Sequence, residues 1–205
     1  MKFQNLVIIS FLTISLLSFI GIFFNFKNKS KFGDCYESKI ISNNKIGGSF
    51  ELKNENNKIV NETDILKEPA LIYFGYSFCP DICPYDLARN SETVDILEER
   101  GLEITPIFIT LDPSRDTAER IKDYTNFFHP KMIGLTGSED QINDISKKYK
   151  IYRNVPNIKN DDYLVDHSTF TYFVHNEIGF LEYYNREDTS YEIADSISCF
   201  LKKIN

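Results

Sequence analysis

Glycine and proline are scarce in this 205-residue chain, at 9 and 7 residues, which excludes collagen-like and low-complexity disordered classes. Four cysteines are too few for a disulfide-stapled mini-protein of this length. Positive charge is also short. Lys and Arg number 23 against 30 Asp and Glu, a formal charge of −7. Lys2, Lys27, Lys29 and Lys31 all precede Phe32, so the remainder sets 19 basic against 30 acidic residues, near −11. A generic phosphate-backbone binder needs the opposite sign, so nucleic acid is excluded as the expected ligand. No Arg occurs before Arg89, which removes an Arg-rich mitochondrial presequence.

Charge is absent altogether from Phe3 to Phe26, a run of 24 residues. At about 1.5 Å per helical residue it reaches roughly 36 Å, enough to cross a hydrocarbon core of about 30 Å. A cleaved signal peptide would show a shorter apolar region and a small-x-small site, and neither is present. The expectation is a retained transmembrane helix within residues 1–31, a linker over 32–47 and one soluble domain over 48–205. The three lysines after the helix lean toward a cytoplasmic carboxyl-terminal domain. The 18 Asn, with abundant Lys and Ile, suggest an AT-rich genome and hence a bacterial inner membrane.

The soluble part alternates strand and helix patterns. Phe50–Leu52 reads as a short strand and Ala70–Phe74 as a strand buried on both faces. Pro84 suits the first turn of a helix that Gly101 stops. Strands are expected at Ile104–Leu111 and Met132–Leu135. Asp116 with Glu119, Ser138 with Gln141 and Thr189 with Glu192 read as helix caps. Phe170–Val174 and Phe180–Tyr184 form a hairpin. The pattern predicts one α/β domain with a mixed sheet flanked by helices.

Chemistry concentrates in Tyr73-Phe74-Gly75-Tyr76-Ser77-Phe78-Cys79-Pro80-Asp81-Ile82-Cys83-Pro84. A buried strand ends there, and two thiols follow at the start of a helix, where ligand sites of open α/β sheets lie. The positive end of a helix stabilises thiolates, so these cysteines should be unusually acidic. A C-x3-C spacing lets both sulfurs converge on one ion or close a disulfide; spacing alone leaves a structural disulfide or two buried thiols open. His167 precedes the Phe170 strand and is the candidate third donor, whereas His129 and His175 read as solvent-exposed. Two thiolates and an imidazole suit copper, chiefly Cu(I), while structural zinc would want a fourth ligand.

The order of these segments resembles the Sco/SenC family of cytochrome c oxidase assembly proteins. The resemblance is carried by Gly48-Ser49-Phe50-Glu51-Leu52, Phe74 through Pro84, Thr110-Leu111-Asp112-Pro113-Ser114-Arg115-Asp116-Thr117 and Val165-Asp166-His167-Ser168. It implies a thioredoxin-like fold held outside the cytoplasm by an amino-terminal helix, with Cys79, Cys83 and His167 as copper ligands and Asp112 and Asp166 in support. It further implies copper, as Cu(I) with Cu(II) left open, delivered to the binuclear centre of cytochrome c oxidase subunit II. Thiol–disulfide exchange by Cys79 and Cys83, keeping that centre's cysteines reduced, is the alternative. Periplasmic placement follows from either chemistry and opposes the lysine count. Cys35 and Cys199 have no counterpart in the family pattern and read as surface or interfacial thiols, with little support for a disulfide.

Overall fold

The computed structural model describes residues 32–35, 46–157 and 162–204. The expected membrane helix and most of the expected linker lie outside the described residues. Among the described residues, no helix is long and apolar enough to cross a membrane.

Among the described residues, nine strands form, β1 (Glu51–Asn54), β2 (Ile59–Asn61), β3 (Ala70–Gly75), β4 (Thr105–Thr110), β5 (Ile133–Thr136), β6 (Arg153–Asn154), β7 (Asp166–His167), β8 (Thr171–His175) and β9 (Gly179–Tyr184). The same residues form the helices α1 (Glu62–Ile65), α2 (Ile82–Glu99), α3 (Ala118–Phe128), α4 (Glu139–Lys148) and α5 (Ser190–Ile204). Seven strands make one sheet in the order β2-β1-β5-β4-β3-β8-β9. The neighbours β3–β4 and β4–β5 are parallel, joined across α2 and α3, and the other pairings are antiparallel. The α/β sandwich with a mixed sheet is therefore present. β6 and β7 form a separate small ribbon, with Arg153 opposite His167.

The central strand explains the layers. All six residues of β3 are buried, and alternate side chains face opposite sides of the sheet. Ile72 and Phe74 pack with Ile142, Ile145 and Tyr149 at α4. Leu71 packs with Val94 and Leu97 of α2 and Ile193 and Ile197 of α5. Tyr73 joins Leu87, Phe108 and Ile121, beneath the two thiols.

Local signals set the helix ends. Gly101 adopts φ 75°, and its N–H donates to Glu98 O at 2.9 Å while that of Leu102 donates to Leu97 O at 2.9 Å. That is the glycine C-terminal cap expected of a left-handed residue. Ser138–Gln141 forms a reciprocal capping box, and Glu192 and Thr189 exchange bonds at the start of α5. The expected cap of α3 is corrected. Thr117, one residue later, accepts from Arg120 N–H at 3.2 Å, because Asp116 points into the domain and is spent elsewhere.

Two further readings are corrected. Cys35 and Cys199 form a disulfide with Cα atoms 5.6 Å apart. Cys35 is buried against α5, where Phe32 and Phe200 lie 5.5 Å apart and Ser196 Oγ donates to Cys35 O at 3.1 Å. The helical wheel puts Cys199 away from the apolar stripe of α5, and the turn of residues 32–35 covers that flank, which sequence spacing does not reveal. His129 and His175 are also buried rather than exposed, at 5% and 8%. Each ring Nδ1 accepts a backbone N–H two residues on, from Lys131 at 3.1 Å and Glu177 at 3.2 Å, so both histidines build turns.

Helix α3 approaches β5 over Gly134, where an added Cβ would overlap Ile121 Cγ2 and crowd Thr125. Gly134→Ala is expected to destabilise the domain by about 2–3 kcal/mol through overpacking, measured by urea denaturation.

Candidate metal and thiol site

The β3 strand ends at Gly75, and the chain must turn at once into α2. An added Cβ on Gly75 would lie 2.8 Å from Cys83 Sγ, 2.9 Å from Tyr73 Cε1 and 3.2 Å from Phe108 Cε2. Glycine here makes room for the Cys83 sulfur, which is fully buried. Cys79 reaches the surface slightly more, at 9%. Its backbone N–H donates to Tyr76 O at 3.2 Å, turning the loop so that its sulfur faces the helix. The nominal N-cap, Asp81, makes no side-chain cap bond. Instead Cys83 N–H donates to Cys79 Sγ at 3.4 Å, and the sulfur takes the place of a capping oxygen. Both cysteines are free thiols.

His167 comes from the β6–β7 ribbon, which crosses the end of β4. Arg153 fastens that ribbon, donating through Nε to Leu111 O at 2.5 Å and through Nη1 to Asn143 Oδ1 at 2.9 Å, and pairing with Glu139 at 2.8 Å. Ser168 N–H donates to Tyr152 O at 3.1 Å, and Tyr152 N–H to Ser168 Oγ at 2.9 Å. His167 Nδ1 lies 2.7 Å from Ser168 O. A carbonyl only accepts, so Nδ1 carries the hydrogen and the lone pair of the neutral ring sits on Nε2. Nε2 is 3.6 Å from Cys83 Sγ. The Tyr76 ring meets the imidazole edge to face, with centroids 5.7 Å apart.

Cys83 and His167, 84 positions apart, are thus brought to one place, with Cys79 beside Cys83. Among the described residues, however, no three His, Cys, Asp or Glu side chains form a ready-made cage around a metal-sized point. The donor set fits a soft ion by its chemistry, and it is open rather than closed.

The two thiols differ. The hydrogen bond from the Cys83 thiol lowers the Cys79 pKa to about 3, assisted by His167 and the Cys83 and Asp81 amides against the cost of burial. Cys83 is pushed far up, by that same bond to Cys79 and by desolvation. One proton is therefore shared unequally, and it stays on the deeper sulfur.

Asp112 and Asp116 are both buried. Asp116 is the anchor that sequence reading assigned to a cap. It accepts from Ser77 N–H at 3.0 Å and from the hydroxyls of Ser77 and Thr110 at 2.5 Å each, tying the thiol loop to β4. Burial raises its pKa, with those bonds opposing. Asp112 holds Arg115 Nε at 2.5 Å and accepts from Tyr163 Oη at 2.9 Å. Arg115 stacks 3.5 Å from the Tyr163 ring centroid and 4.5 Å from that of Phe78, and Arg120 lies 3.8 Å from Phe78 on its own account. Asp112 thus supports the loop at one remove. Asp166 does not reach it; its side chain is exposed on β7. Tyr73 Oη donates to the fully buried Asp86 at 3.0 Å below Cys83, a contact missed at first because Asp86 lies on the inner face of α2.

A short pulse of iodoacetamide on the reduced chain should label Cys79 and spare Cys83, read by peptide mass spectrometry. A folded pKa below the ordinary thiol value means Cys79 is anionic throughout pH 5–8, so its labelling rate should stay nearly flat there. An ordinary thiol near 8.5 would slow about tenfold per pH unit on descending that range.

A family model described as SCO1/SenC matches residues 38–202. The SenC protein of Rhodobacter capsulatus is 43% identical over 171 residues, covering 83% of this chain and 77% of the relative. The copper-bound crystal structure of Arabidopsis thaliana ScoI superposes with a TM-score of 0.72 at 36% identity, covering 78% of this chain and 98% of that one. Yeast Sco1 with copper bound gives 0.72 at 38%, covering 77% and 88%. The sheet and its flanking helices are those of the thioredoxin-like Sco fold, and the chain belongs to the SCO1/SenC family.

Proposed function

We propose that this protein is a membrane-anchored copper carrier for cytochrome c oxidase assembly, holding copper through Cys79, Cys83 and His167. The observation that carries the reading is the Nδ1–Ser168 bond, which turns the Nε2 lone pair of His167 toward Cys83 at 3.6 Å. Copper is cargo here, so an open donor set has a purpose. Two sulfurs and one nitrogen satisfy Cu(I) without enclosing it, and incoming thiolates of an acceptor can replace them one at a time. Loading requires the Cys83 proton to leave, whereas Cys79 is already anionic. The copper-bound Arabidopsis and yeast relatives support the cargo. The acceptor we assign is the binuclear copper centre of oxidase subunit II.

The anchor is the uncharged run from Phe3 to Phe26, with the domain in the periplasm of a bacterial inner membrane. The Cys35–Cys199 bond supports that compartment, since disulfides persist where thiols are not kept reduced.

The asymmetry of the thiols supports a second reading, thiol–disulfide exchange. Cys79 would attack a partner disulfide as thiolate, displacing one partner thiolate; Cys83, losing its proton, would then break the mixed disulfide, leaving Cys79–Cys83 oxidised and the partner a dithiol. His167 separates the two readings.

Reduced protein titrated with Cu(I) should bind about one ion per chain, and Cys79→Ser or Cys83→Ser should abolish retention against a competing chelator. His167→Ala should weaken it by more than the roughly 10–100-fold typical of losing an outer-shell partner, while leaving dithiol exchange intact. Undiminished copper retention in His167→Ala would overturn the carrier reading and leave exchange. A reporter fused after Asn205 should be active only outside the cytoplasm.

A further inference from the structure

The chain enters its domain at an unexpected place. Cys35 lies only nine residues after Phe26, and it is bonded to Cys199 near the end of α5. The turn around it is docked as well as bonded. Phe32 packs on Phe200, Ser196 holds Cys35 O, and Lys203 pairs with Asp34 at 3.4 Å.

Helices α2 and α5 run side by side in the same direction. Thr93 Oγ1 reaches Ser190 O at 3.5 Å, and further along Arg100 donates to Ser198 Oγ at 3.1 Å and pairs with Asp195 at 2.8 Å. Cys199 lines a cavity of about 650 Å³ with Arg100 and Leu102, just past the end of α2. Cys83 lies at the other end of that helix, 17 residues before Arg100 and so about 25 Å away along its axis. The disulfide and the donor loop therefore occupy opposite poles.

We propose that the Cys35–Cys199 bond is an orientation clamp, which fastens the membrane side of the domain at the α5 pole and holds the copper loop facing away from the bilayer. This rests on the anchor reading given above. With the bond in place, the tether from Phe26 is nine residues, with a reach of at most ~32 Å. Without it, the turn is held by side-chain contacts alone; once they release, the next described residue packed on the core is Ile46, 20 residues after Phe26, and the greatest reach to it is ~70 Å. The short tether stops the domain from rolling over and fixes the height at which its cargo is offered. The acceptor that fits is a membrane protein whose metal site stands tens of ångströms above the lipid surface, presented to a partner approaching from the aqueous side.

The test uses the full chain in phosphatidylethanolamine–phosphatidylglycerol vesicles carrying an acceptor-dye lipid. A fluorescent non-natural amino acid replaces Tyr85, which is 60% exposed one turn from the thiols. Alkylation of the unfolded chain without reductant should leave Cys35 and Cys199 unlabelled; reaction of both overturns the clamp. Energy transfer to the lipid should be low in the parent and roughly double in Cys35→Ser/Cys199→Ser, as the longer tether lets the loop approach the bilayer. Unchanged transfer overturns it. Should that variant lose its structure, ten Gly-Ser residues inserted between Lys31 and Phe32 keep the bond and lengthen the tether; they should likewise raise transfer, and no change counts against the clamp. Flotation tests the anchor itself. A chain that does not float with vesicles yet spares Cys35 and Cys199 from alkylation removes the anchor reading, and the clamp with it. A chain that floats while its loop already transfers strongly removes the clamp alone.

Discussion

The Cys83 sulfur occupies the space that a side chain on residue 75 would need, and the site is organised around that contact. A buried sulfur against a bare backbone fixes where α2 begins relative to the end of β3. It also fixes the direction of the Cys79 loop, because that loop has only three residues in which to close. The second sulfur then meets the amide of the helix's second residue, Cys83 itself, so one interaction caps α2 and aligns the thiols. Tyr73 and Asp86 lie below this contact and His167 above it. Any change that widens the Gly75 position moves all of them together.

Around that contact the electrostatics are local and differ from the charge of the whole molecule. The chain is acidic, yet two guanidinium groups flank Phe78 in the thiol loop. Asp112 and Asp116 are buried beside them with donors on their oxygens, so they act as fixed acceptors that hold the loop in place. A carboxylate stripped of water is tolerable only when its lone pairs are used, and both residues meet that condition. The acidity of Cys79 arises in the same manner, from a neighbouring thiol and helix amides acting at short range. Net charge informs partner choice and says little about this chemistry.

Much of this was legible in sequence, and the reasons differ by residue. The runs at Ala70–Phe74 and Ile104–Leu111, the glycine stop at 101 and the capping boxes at Ser138 and Thr189 are local signals, and each element forms within a residue or two. The thiol pair at a strand end was visible for the same reason. The side chains that support it were not, because their partners are distant in the chain: Ser77 to Asp116 spans 39 residues and Tyr163 to Asp112 spans 51. Asp116 looked like a cap since Glu119 follows it, and nothing local says that it turns inward. His129 and His175 looked exposed because they sit at turns, yet a ring nitrogen that accepts a turn amide draws the imidazole inward. β2 and α1 were missed altogether, being too short for periodicity to register.

The disulfide bears on the proposed placement of the domain, which the flanking lysines oppose. Three lysines between Phe26 and Phe32 favour a cytoplasmic domain on the count of basic residues. That rule reflects a bias during insertion, to which each lysine contributes modestly. A bond closing a separation of 164 residues requires that two thiols meet and remain oxidised, and a reducing cytosol opposes this throughout the life of the protein. The bond also lies where Cys35 is buried among Leu71, Val94 and Phe173, so it belongs to the core rather than to an adventitious surface pair. The lysine count is a weak kinetic preference and the buried bond a persistent thermodynamic requirement. The second outweighs the first, which is why the proposed function puts the domain on the oxidising side.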